Sequence, residues 1–63
     1  MSWIKLTDEQ GDPIYFNTAE IGVVRPVVQG EADSAQAAVM YEGAWYVKET
    51  VDEVMKKVLG AAQ

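Results

Sequence analysis

The chain reads as a small α+β domain, residues 1–63, built from a mainly antiparallel sheet of about five short strands with one C-terminal helix packed on one face. Three observations predict this. Short runs of aromatic and β-branched residues alternate with period two, and Gly, Pro, Asp and Asn punctuate them. A Thr-x-x-Glu capping box at Thr50–Glu53 opens an apolar stripe of helical period. The chain has only 63 residues and no cysteine, so it holds one domain with no disulfide frame.

The strands follow in order. Trp3–Thr7 alternates, with Ile4 and Leu6 on one face and Trp3, Lys5 and Thr7 on the other. Asp8–Pro13 is a turn by composition, and Ile14–Asn17 returns as a second strand with Ile14 and Phe16 facing one way and Tyr15 the other. Asn17–Glu20 suits a corner or a single helical turn. Ile21–Val28 is a third strand in which Val23-Val24 breaks the alternation; Pro26 cannot donate to a ladder and so implies an edge or a bulge. The polar Gln29–Ser34 segment is the loosest loop. Ala35–Tyr41 is a fourth strand, and Glu42-Gly43 turns it into Ala44–Lys48, with the glycine supplying a positive φ.

The helix is expected over 51–59. Val51, Val54, Met55, Val58 and Leu59 form one stripe, and Gly60 is a natural stop. Asp52 and Glu53 sit at the positive end of the helix dipole, and Lys56 and Lys57 at the negative end. Asp52–Lys56 and Glu53–Lys57 have the spacing of ion pairs, each contributing roughly 0.2–0.5 kcal/mol.

The expected inward set is Ile4, Leu6, Ile14, Phe16, Ile21, Val23, Val39, Trp45 and Val47, under Val51, Val54, Met55 and Val58. The opposite face then carries Trp3, Tyr15, Val24, Met40 and Tyr46. Those five are the candidate interface, because Trp, Tyr and Met are enriched in interface cores. The competing account is a sheet that curls like a small barrel and takes these side chains into its own core.

Composition narrows the function classes. Without histidine or cysteine, imidazole and thiolate metal sites and His-activated nucleophiles are excluded. Asp8, Glu9 and Asp12 lack the spacing and distal glutamate of a calcium loop. The glycines are isolated, so no phosphate loop is present. No catalytic residue, cofactor or metal is therefore expected, and the chain is not read as an enzyme. A net charge of −5 with dispersed Lys and Arg argues against nucleic acid and anionic membranes as partners. No apolar run approaches the ~20 residues of a membrane span. The opening Met-Ser-Trp-Ile-Lys has no leader pattern, so the expected location is the cytoplasm. A chain this small buries only about 60% of its unfolded surface, and with disulfides and metals set aside, oligomerisation is the remaining source of stability. The expected function is a self-associating protein-interaction module, a homodimer or higher.

Over nearly its whole length the chain resembles the FlbD family of flagellar-operon proteins and similar short bacterial and phage-borne proteins. The likeness lies in Ile4-Lys5-Leu6-Thr7, Gly11 with Ile14–Asn17, Ile21, Gly43 leading to Tyr46-Val47-Lys48-Glu49-Thr50, and Asp52-Glu53-Val54. The chain departs from that pattern in its longer acidic Gln29–Ser34 loop and the Ala-rich strand after it. The resemblance implies the fold and a bacterial origin, and brings no catalytic residues. A fainter likeness to LytTR-type DNA-binding domains, through Ile21–Val28, Gly43–Lys48 and the following helix, implies the alternative of a nucleic-acid-linked regulator. The acidic balance opposes it.

Overall fold

A computed structural model describes residues 2–31 and 33–61. Residues 1, 32, 62 and 63, which belong to the expected 1–63 domain and in one case to the Gln29–Ser34 loop, lie outside the described residues. The elements run β1 (Trp3–Thr7), β2 (Pro13–Asn17), a 3-10 turn (Thr18–Glu20), β3 (Val23–Pro26), β4 (Ala37–Met40), β5 (Ala44–Val47) and α1 (Val51–Ala61). The α+β class holds: five short antiparallel strands with one C-terminal helix packed against them. The strands form two ladders rather than one continuous sheet, β1-β2 and β3-β4-β5.

The ladders meet at the end of β1. An antiparallel bridge joins Asp8 to Val47, and the Lys48 amide donates to the Thr7 carbonyl at 2.9 Å. Glu49 completes the junction. One carboxylate oxygen accepts the Thr7 amide and the other the Thr7 hydroxyl, both at 2.9 Å. The next residue, Thr50, is already the cap of α1, so the junction also fixes where the helix starts.

The turns follow local chemistry. The β1-β2 loop is closed by the Asp8 amide on the Asp12 carbonyl, with Gly11 at φ 89°. This is the three-residue hairpin loop whose last position needs the left-handed region. The Asp8 carboxylate accepts the Gln10 and Asp12 amides, so it serves the turn. In the β4-β5 loop both Glu42 (φ 56°) and Gly43 (φ 138°) have positive φ, one residue more than the sequence suggested.

Hydrogen-bond parity explains both prolines. Opposed residues of an antiparallel pair alternate between bonded and non-bonded pairs. In the β1-β2 register Ile4 opposes Phe16 and Leu6 opposes Ile14. The bonds of Thr18 to Ser2 and of Asp8 to Asp12 fall in that register and set the bonded pairs at the even positions. The amide positions of Pro13, Tyr15 and Asn17 therefore point away from β1, to the free edge of β2. In β3-β4 the Val27 amide donates to the Gln36 carbonyl, which makes Val24 and Pro26 the outward positions of β3. Each proline stands where its missing N–H costs the ladder nothing, and of the edge or bulge expected at Pro26 the edge is observed.

Leu6, Phe16, Val39, Val47 and Val54 are fully buried at the centre of the core, with Ile4 and Ala37 beside them. Each of the larger side chains contributes roughly 1.5–3 kcal/mol. Two corrections concern β3 and β5. Val24, expected outside, packs on the core, while Val23 is 53% exposed. The register opposes Val24 to Val39 and so puts it on Val39's face. Trp45 lies on the expected face but at its rim, 45% exposed; its ring stands edge-on to Phe16 at 6.3 Å and its indole N–H donates to the Tyr41 carbonyl. Ala37, missed in the sequence, is wholly buried because it pairs with Val47.

The helix starts as read. The Thr50 amide donates to the Glu53 carboxylate (3.0 Å) and the Glu53 amide to the Thr50 hydroxyl (3.2 Å), a reciprocal capping box. Those bonds hold the Glu53 carboxyl below its ordinary value, the Thr50 backbone bond being the main cause. The helix contacts β1, β3 and β4. Val51, Val54 and Val58 face the core, Met55 is half-buried, and Leu59 is exposed. Gly60 does not stop the helix, which reaches Ala61. The expected Asp52–Lys56 and Glu53–Lys57 ion pairs are absent: among the described residues the one salt bridge is Arg25–Glu31. Glu53 is taken by the cap, and the Lys57 ammonium donates instead to the Lys5 carbonyl at 2.7 Å. Thr50→Ala should lower stability by about 1 kcal/mol, read as a denaturant midpoint, because it removes the hydroxyl half of the box.

Candidate interaction surface

Alternation along β1 and β2 gives the hairpin an outer face of Trp3, Lys5 and Thr7 beside Pro13, Tyr15 and Asn17. Trp3 opposes Asn17 and Lys5 opposes Tyr15, so the two aromatic residues are diagonal neighbours, about 7–8 Å apart, within reach of one extended contact. Trp3 is 62% and Tyr15 59% exposed. The face has local positive charge within an acidic chain: Lys5 stands between the aromatics and Lys57 is bound to the Lys5 backbone. No carboxylate lies on β1 or β2.

The five expected interface residues do not form one surface. Trp3 and Tyr15 share the hairpin face. Val24 is turned into the core. Met40 and Tyr46 are half-buried on the outer face of the other ladder. The expectation assumed one flat sheet with two common faces, and splitting the strands into two ladders separates them.

Tyr46 has a local partner that the sequence did not suggest. Arg25, Ala38 and Tyr46 lie in one register row across β3, β4 and β5. Glu31 reaches over this row. Its carboxylate pairs with the Arg25 guanidinium through both oxygens, one bond being 2.9 Å, and accepts the Tyr46 hydroxyl at 2.9 Å and the Val28 amide at 3.2 Å. The loop expected to be loosest is thus tied across the sheet, and Ala38 in the middle of the row is fully buried. The Arg25 bond is the main cause that holds the Glu31 carboxyl down at about 2, with the Val28 amide next. The same carboxylate raises the Arg25 and Tyr46 values. Nothing short-range announced this clamp, because its partners are brought together only by the strand register.

Two concavities stand out among the described residues. One of about 480 Å³ lies within the 27–36 loop, lined by Val27, Gln29, Asp33 and Gln36 among others. The other, about 390 Å³, is an apolar groove between the 3-10 turn, β3 and α1, lined by Ile21, Val23, Val24, Met55 and Val58 with Thr18 and Gly22. Neither gathers the acid-base pairs that a reaction centre needs. Among the described residues, no three or more carboxylates cluster as a metal site, and no helix is long and apolar enough to cross a membrane. Comparison of the chain with protein-family models, curated proteins and solved structures finds no match.

The clamp has a defined pH signature. A carboxyl whose folded value lies below its unfolded one stabilises the anchored loop in its ionised form. That contribution is complete above the unfolded value and disappears as the pH falls through the folded one. The window for Glu31 runs from the ordinary 4.5 down to about 2. Its side-chain carboxyl resonance should therefore titrate near the lower limit, and a midpoint in the ordinary range would contradict the clamp.

Proposed function

We propose that this chain is a non-enzymatic protein-interaction module that associates with itself through the outer face of the β1-β2 hairpin. One observation carries the reading: Trp3 and Tyr15 are both more than half exposed, diagonal neighbours on a face where no other described element covers them. Trp and Tyr dominate binding hot spots, since they add much contact area for little lost side-chain freedom. The charge supports the choice of partner. A chain of net charge −5 repels its own copies over most of its surface, whereas β1 and β2 carry no carboxylate of their own, and the one that reaches their outer face, Glu49 at Thr7, is hydrogen-bonded there. The small core supports it too, because a chain of this size gains stability from a partner. The resemblance to the FlbD family belongs to the same proposal and would place the protein in a bacterial cytoplasm. It adds no catalytic residue to it.

Sedimentation across micromolar to millimolar concentrations should reveal a species heavier than the 6.9 kDa monomer. Trp3→Ser and Tyr15→Ser should shift that equilibrium to the monomer while the circular dichroism stays unchanged, since both side chains are exposed. A monomer at every concentration would overturn the reading.

A further inference from the structure

The free edge of β2 carries the deeper inference, and it rests on the self-association just proposed. Parity leaves the Tyr15 and Asn17 amides and the Pro13 and Tyr15 carbonyls pointing outward, and among the described residues no bond uses them. Asn17 caps the 3-10 turn, so its carbonyl already serves that turn's first bond. We propose that a second copy of this chain pairs antiparallel with β2 about a two-fold axis at Tyr15, making a four-stranded sheet from two hairpins.

That register is self-complementary. At the axis, each Tyr15 amide meets the Tyr15 carbonyl of the other copy. On either flank, an Asn17 amide meets a Pro13 carbonyl. The one group Pro13 lacks, its N–H, falls opposite the one carbonyl already in use, that of Asn17. No other symmetric register employs every free donor. The edge is also undefended. Soluble proteins blunt edge strands with charges, prolines or bulges, yet β2 has no charged residue and its proline stands at the end, where it contributes an acceptor. The other free edge, β3, differs: Pro26 removes one of its two outward donors, and Arg25 lies on the strand. Pairing two five-residue strands buries less surface than the roughly 1,200 Å² of a stable interface, so the dimer is a transient one.

Amide hydrogen exchange on the wild-type chain, measured below and above the association range, tests this without altering the molecule. Ile14 and Phe16 amides, bonded to β1, should be protected in both states, and Tyr15 and Asn17 amides should slow by at least about tenfold only in the associated one. As a second reading, Tyr15→Pro should weaken association at least about tenfold more than Tyr15→Ser does, because only the proline removes the outward donor. If the chain associates while the Tyr15 amide exchanges freely, the edge pairing is wrong and association through the aromatic face stands. If it never associates, the proposed function fails first.

Discussion

The fold hangs on the contact between Thr7 and the segment Lys48–Glu49. Two hairpin-built ladders in a chain this short have little surface to hold them together, and only a few backbone groups remain to join them. Thr7 uses its outward carbonyl on the Lys48 amide, and its amide and hydroxyl on the Glu49 carboxylate. Hydrogen bonds to a charged acceptor are stronger than neutral ones, roughly 1.5–3 kcal/mol each. They seat Leu6 and Val47 in one core and deliver the chain to Thr50 with the helix already capped. Val54, four residues on, then closes the same core.

The unused backbone groups define what remains for function. Joining the ladders through β1 and β5 leaves β2 and β3 as free edges. The two prolines stand on those edges at positions whose amides would face outward, and the Arg25–Glu31–Tyr46 clamp occupies the outer face beside β3. The hairpin of β1 and β2 has no such cover. An acidic chain that is otherwise self-repelling thus presents one face with aromatic rings and a lysine, where the one carboxylate, Glu49, is tied to Thr7 at the margin.

The sequence is legible where the interactions are local. The bounds of β1, the start of α1, the reciprocal Thr50–Glu53 bonds, the β4-β5 hairpin and the edge position of Pro26 all follow from neighbours a few residues apart. Misreadings fall where a residue's fate depends on strand register. Val23 and Val24 exchange roles because their alternation is broken and only pairing with Val39 and Met40 decides which turns inward. Glu31 lies in the loop expected to be loosest, and the partners that tie it down are six and fifteen residues away. Lys57 has the spacing for a partner on its own helix but serves the Lys5 carbonyl instead. Of the five candidate interface residues, Trp3 and Tyr15 share a face because one clean hairpin sets both. Val24, Met40 and Tyr46 belong to another ladder, whose separation no short-range pattern records.

A double-mutant cycle between Thr7→Val and Glu49→Ala, read by denaturant unfolding, tests the junction most directly. If the Thr7–Glu49 contact joins the ladders, each single change destabilises the chain and the two couple by about 1 kcal/mol or more. Additive effects, within about 0.3–0.5 kcal/mol, would mean that the ladders are held together elsewhere.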